Sequence, residues 1–440
     1  MNKRTLATFA LAGIASAQVL VPVETAGTII LMASDGAVDE SEPPPEVSAN
    51  PCEGVTDTNY HVIPGGGAGS QNGSDWSNAY NALPASLDRG GCYWIGDGTH
   101  AAYIFDDATN GTQVIAVAKA TETYHGSAVG WSSLFGDGQT IFSDRLSFDT
   151  NYYVVDGMRR DESDLWTGWD DEDSYGIVTD AVESGSGFPT ENDGAHHVSI
   201  RYVAIVPGDN VSSPVAFGIN GTNEGWYIGY TLQKNGRDTQ LNGASNLVYE
   251  FNMHHVLNGK ECIRSQTDSL NMVMRYNVFW DCCRNDIVGG DGCTADVALF
   301  GNPTASFEGI RYYGNLHRRA ISGSKADGTM QVQADDCIIA FNTVYDDEDG
   351  GNGGLKCIGT GGSVRNNIAY FPNGMSNNIT GTTANNNSTY TSSPPFVNVA
   401  TGDFHLTEAL AGAALGSPYD DEDLDGVVRS TPDRGAYEFN

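Results

Sequence analysis

Val248-Tyr249-Glu250-Phe251-Asn252-Met253, Val273-Met274-Arg275-Tyr276-Asn277-Val278, Arg311-Tyr312-Tyr313-Gly314-Asn315-Leu316, Ile338-Ile339-Ala340-Phe341-Asn342-Thr343 and Val364-Arg365-Asn366-Asn367-Ile368 each carry an asparagine behind a short β-branched or aromatic run. By subtraction, Asn252, Asn277, Asn315, Asn342 and Asn367 lie 25, 38, 27 and 25 residues apart. Three intervals share a period, and the long one reads as a period plus an inserted loop. A strand-rich unit in the twenties cannot bury its inner face alone, so it must stack on its neighbours as one coil of a solenoid. Parallel stacking sets adjacent coils about 4.8 Å apart. Asparagine suits this position twice over: it tolerates left-handed backbone at a turn, and its amide can bond from coil to coil. These asparagines are therefore read as structural, and none is assigned to catalysis.

Working outward, weaker copies occur at Tyr153-Val154-Val155-Asp156-Gly157, Ile200-Arg201-Tyr202-Val203-Ala204 and Tyr227-Ile228-Gly229-Tyr230-Thr231. A β-sandwich also repeats turn signals, at 8 to 12 residues, but without one marker residue returning in phase. Gly at 54 of 440 residues agrees with many short strands and many turns and disfavours helix-rich folds. Apolar residues at 40% are enough for a sizeable core, while charged residues at 18% exclude a disordered acidic polymer.

The charge excludes further classes. With 22 Lys+Arg against 56 Asp+Glu the formal net charge is -34, the wrong sign for nucleic acid or for docking on anionic lipid. Met1-Asn2-Lys3-Arg4 and the apolar run from Leu6 to Leu20 have the charged and apolar regions of a secretory signal, and Ala15-Ser16-Ala17 is an A-x-A cleavage site. Thr28 to Ala33 extends the apolar character, so residues 1–33 are read as the signal with cleavage after 17 as the alternative. The protein is accordingly expected to be secreted or at the cell surface, with no membrane contact after cleavage. An acidic, Pro-containing linker follows at 34–59, then an N-terminal cap and first coils at 60–150, the β-helix at 151–395 and a C-terminal cap at 396–440. Eight cysteines in an exported chain suggest disulfides. Cys52 with Cys92 would pin the N-terminal region; the pairing of the other six stays open.

The Asn-centred coils, together with Asp403-Phe404-His405-Leu406, Gly416-Ser417-Pro418, Asp423-Leu424-Asp425-Gly426 and Pro432-Asp433-Arg434-Gly435-Ala436-Tyr437-Glu438, resemble secreted bacterial right-handed parallel β-helix proteins of the pectate-lyase-like superfamily. Gly73-Ser74-Asp75-Trp76 and Gly90-Gly91-Cys92-Tyr93-Trp94 resemble their N-terminal segment. The resemblance implies an all-β right-handed parallel β-helix with N- and C-terminal caps. It does not imply one activity, because that superfamily includes lyases, hydrolases and adhesins. Glu261-Cys262-Ile263-Arg264-Ser265 leading to Asn271 and Arg275-Tyr276-Asn277 is similar to the alginate lyase and chondroitinase B family. That family carries a Lys-Ser pair on this strand and an Arg on the following coil. Arg264-Ser265 stands nearest the pair, and Arg284-Asn285-Asp286 lies where an Arg-His-Gly would follow.

Cations are scarce, so their placement is informative. Of 22, ten fall between positions 234 and 325, and Arg237, Lys260, Arg284 and Lys325 are separated by 23, 24 and 41 residues, close to the repeat. Residues one period apart stack, so these four are expected to form a column able to meet successive carboxylates of a uronate chain; the plain alternative is a solvated edge. A lyase must neutralise the carboxylate beside the departing proton and supply a base. Arg264 and Arg284 are the expected neutralisers, and Lys260, His254 or His255 the base. Arg237, Arg318, Lys325 and Trp280 are expected to bind substrate. Calcium is the expected cofactor, with Asp281, Asp286 and Asp291 as ligands, since hard cations take several oxygens from acidic loops. The sequence thus predicts a lyase cleaving an acidic polysaccharide by β-elimination, with a non-catalytic, adhesin-like glycan-binding solenoid as the rival.

Overall fold

The computed structural model describes residues 50–440 apart from 53–54, 56–57, 159–170, 181–187, 190–194, 207–216, 222, 235–237, 256–260, 283–295, 300–306, 320–329, 347–353, 372–378, 420, 430–431 and 440. Among them, three long sheets stack along the molecule, the third over fewer coils than the other two. The first has twelve strands, from Thr58–Val62 to Thr383–Asn385, the second has eleven, from Gly98–His100 to Ser388–Tyr390, and the third has seven, from Phe188–Pro189 to Leu355–Cys357. Every pairing within these sheets is parallel and joins one coil to the next, as in Val248–Glu250 against Val273–Arg275 and Met253–His255 against Val278–Trp280. The molecule is a parallel β-helix.

Alternation explains which side chains fill the coil. Ile205, Gln233, His254, Phe279, His317, Val344 and Ala369 occupy one register line of the second sheet and are buried. Their neighbours on either side point outward.

The asparagines form the expected ladder, at the turn from the first sheet to the second. Asn252 donates its backbone N–H and its amide to Asn277 Oδ1, both at 3.0 Å, and the pattern passes to Asn315, Asn342, Asn367 and Asn387. Each amide also donates to a carbonyl of the coil before, as Asn277 does to Tyr249 O at 3.0 Å. The left-handed geometry, however, belongs to the preceding residue. Tyr230, Phe251, Tyr276 and Phe341 have φ between 52° and 55°. Large rings rarely adopt this conformation, and here they stack: Tyr202, Tyr230, Phe251 and Tyr276 follow one another at 4.9, 4.9 and 5.0 Å. Gly314, φ 65°, interrupts them, where an added Cβ would lie 2.6 Å from the Tyr276 ring.

Disulfides join Cys52 to Cys92, Cys262 to Cys282 and Cys337 to Cys357. Cys283 and Cys293 lie outside the described residues. The described residues of 403–439 pack sideways against the outer faces of the first two sheets: Ala436 N–H donates to Thr343 Oγ1, Gly435 N–H to Asn366 O, and Tyr276 OH to Glu422 O. Signal and most linker residues lie outside the description, and no described helix is long and apolar enough to cross a membrane.

Candidate functional site

The corner between the second and third sheets is where coils differ. It takes four residues, 235–238, between Leu232–Lys234 and Thr239–Leu241, but sixteen, 281–296, between Val278–Trp280 and Val297–Leu299. The strands on both sides keep register through four successive coils, on the second sheet as Lys234, His255, Trp280 and Arg318 and on the third as Thr239, Ile263, Val297 and Met330. Arg237, Lys260, Arg284 and Lys325 fall one in each of the four connections at this corner; they, Asp286 and Asp291 lie outside the described residues.

Lys234, His255, Trp280 and Arg318 line the outer rim of the second sheet. Arg318 is held from two sides: its guanidinium lies 4.1 Å above the Trp280 ring and its Nη1 is 3.5 Å from Asp281 Oδ2. Trp280 thus has one face covered by a cation, and its edge meets Gly402, where an added Cβ would lie 2.4 Å from the ring. Lys234 Nζ lies 3.1 Å from Glu172, and on the third sheet Arg264 Nη2 lies 3.1 Å from the buried Asp238. Each of these three cations therefore already has a carboxylate partner.

His254 is not on this rim. It faces inward beside His255, fully buried, with Nε2 2.7 Å from Tyr249 OH. Burial, with His317 nearby, pushes its imidazole down to about 3, so it stays neutral. Phe279 stacks between His254 and His317, and His317 meets Tyr312 OH at 2.5 Å and Asp296 at 3.2 Å. A base for an external substrate needs access to it; inside the coil His254 has none. His255, one residue on, remains at the rim near Trp280. Asp281 is buried toward Arg318, and among the described residues no three His, Cys, Asp or Glu side chains come together to hold a metal ion.

Sequence reasoning missed a buried charge ladder on the outer face of the first sheet. Asp156 pairs in register with Arg201, at 2.7 Å, and Glu250 with Arg275, at 2.6 Å. Between them stands Gly229, and Tyr227 OH reaches over the gap to Glu250 at 2.8 Å. Arg275 also donates to Tyr313 OH at 3.0 Å. Burial raises the Asp156 and Glu422 carboxyls, with Arg201 and Arg275 respectively opposing the rise. The signal was available: Glu250 and Arg275 hold the same place in successive repeats. Since these groups pair with one another under cover, the ladder fixes coil register and offers no open site.

No protein family description matches the sequence, and no curated protein matches it either. Among solved structures, the chain is similar to the pectate lyase Pel9A, at 15% identity and a TM-score of 0.48, over 88% of this chain and 97% of that one. It is also similar to the PL6 family polysaccharide lyase Pedsa3628 from Pseudopedobacter saltans, at 8% identity and a TM-score of 0.31, over 87% of this chain and 97% of that one.

Proposed function

We propose that this protein is a secreted β-helix that binds an acidic, uronate-containing polysaccharide along the corner between its second and third sheets and cleaves it by β-elimination. One observation carries the reading: four of the scarce cations, Arg237, Lys260, Arg284 and Lys325, fall in four successive connections whose flanking strands are in register. In a chain of net charge -34, this local excess gives a polyanion a place to dock. Coil spacing of about 4.8 Å is comparable to one sugar unit.

In this reading Arg264 and Arg284 neutralise the uronate carboxylate, which stabilises the charge that develops as the adjacent C–H proton leaves. Lys260 accepts that proton; neighbouring guanidinium groups favour its neutral form. The electron pair then forms the ring double bond as the glycosidic oxygen departs and takes up a proton from water. Arg264 must exchange Asp238 for substrate. Calcium is part of the proposal only through Asp286 and Asp291, since the Asp281 carboxylate faces Arg318.

The rival, a non-catalytic glycan-binding solenoid, is favoured by the pairing of Lys234, Arg264 and Arg318 with carboxylates and by the sequestration of His254. Incubating the protein with alginate, pectate, chondroitin and ulvan, with and without calcium, separates the two readings. Ultraviolet absorbance of an unsaturated product supports the lyase. Binding without product on every substrate supports the rival.

A further inference from the structure

The asparagine ladder ends on an unfilled rung. Asn387 accepts from the Asn367 backbone N–H and amide at 3.0 and 2.9 Å and donates its amide to Val364 O at 2.9 Å. On every earlier rung from Asn252 onward the backbone N–H also donates to the asparagine of the next coil; among the described residues no coil follows that of Asn387. Thr383–Asn385 and Ser388–Tyr390 are correspondingly the terminal strands of the first and second sheets. Their inward positions are open to solvent: Ala384 and Thr389 are exposed, whereas Val364 and Ala369, one coil earlier, are fully buried. Among the described residues the C-terminal segment leaves this end uncovered, since it runs sideways, back along the coils.

Open edges are ordinarily blunted by charged side chains or proline. Here, between Arg365 and Asp403, residues 366–402 contain no charged residue, although the chain carries 22 basic and 56 acidic ones. Within that stretch the two terminal strands also lack proline, which appears only at Pro372 and at Pro394-Pro395. A body of charge -34 repels its own copies over most of its surface, but not at this neutral end. The last coil itself, residues 379–390, offers a charged ligand or partner no complementary group. A strand edge pairs antiparallel with its own copy about a two-fold axis, which is the self-complementarity that a closed dimer needs.

We infer that two copies of this chain associate end to end through the last coil, with Thr383–Asn385 of one pairing antiparallel with the same strand of the other. The inference is independent of the proposed catalysis. Sedimentation of the full chain over a wide concentration range tests it, alongside Ala384→Asp and Thr389→Asp, which place a negative charge on the terminal coil of each copy. The expected result is a species of twice the chain mass for the wild type and of the single-chain mass for the variants, with unchanged circular dichroism. Asn385→Asp, at an exposed outer position, gives a second variant free of core effects, and amide exchange at residues 383–390 of the wild type should slow as concentration rises. A wild type that stays single at all concentrations overturns the inference, as does a double mass that survives all three substitutions.

Discussion

Two corners of the same solenoid behave in opposite ways. The turn from the first sheet to the second is two residues long on coil after coil, as at Phe251-Asn252, Tyr276-Asn277, Gly314-Asn315, Phe341-Asn342 and Asn366-Asn367. It is stitched by buried amides and packed beneath the C-terminal segment. The turn from the second sheet to the third varies from four residues to sixteen, and there the repeat-spaced cations fall. The regular corner holds the coils in register, which leaves the irregular corner free to vary in length and charge without loss of the fold. Stability and recognition should therefore separate cleanly under substitution.

The largest stability effect is expected beside the regular corner. Glu250→Ala strands the buried Arg275 guanidinium and should cost about 3–5 kcal/mol, read as a lower melting temperature. Asn277→Ala comes next. It removes the acceptor for two Asn252 donors and the donor to Asn315 and Tyr249, for a loss of about 3 kcal/mol from unsatisfied buried groups. If either variant melts like the wild type, the regular corner is not what holds the coils together. Neutralising the four corner cations should leave the melting temperature where it is.

Two histidines sharpen the contrast through pH. His254, pushed down to about 3 by burial, is held neutral; its contribution is complete above its ordinary 6.5 and is lost as pH falls toward 3. His405 is the reverse case. Hydrogen-bonded at 2.5 Å to Asp425 and at 2.7 Å to Asp403, it is pushed up to about 9, so its contribution is complete below 6.5 and disappears as pH rises through 9. The second effect is the smaller, since His405 is 42% exposed. Amide exchange should accordingly speed up at residues 403–425 above pH 9 while the coil interior stays protected. Uniform exchange across both regions would break the distinction.

Much of the fold was legible because a solenoid writes its period into the chain, and Asn252, Asn277, Asn342 and Asn367 mark it directly. The turn was legible in place but not in detail. Left-handed geometry was expected on the asparagine, whereas Phe251 and Tyr276 carry it, since propensity does not register that their rings stack on neighbouring coils. His254 was misplaced for a simpler reason: alternation puts Met253 and His255 outward and His254 inward, and the aligned Phe279 and Val344 already mark that position as core. In the acid loop Asp423-Leu424-Asp425-Gly426, Asp423 accepts backbone N–H groups from Asp425, Val427 and Glu438 at 2.8–2.9 Å, partners that only the three-dimensional fold brings together. The candidate site was legible only as charge spacing, because spacing reports stacking while partners such as Asp238 and Asp281 are set by the three-dimensional fold.

The central claim is that the irregular corner recognises a polyanion. Its most direct test is the salt concentration at which the protein elutes from immobilised alginate or pectate, compared with a variant carrying Arg237→Gln, Lys260→Gln, Arg284→Gln and Lys325→Gln. The account predicts that the variant elutes at markedly lower salt while melting with the wild type; equal elution would contradict it.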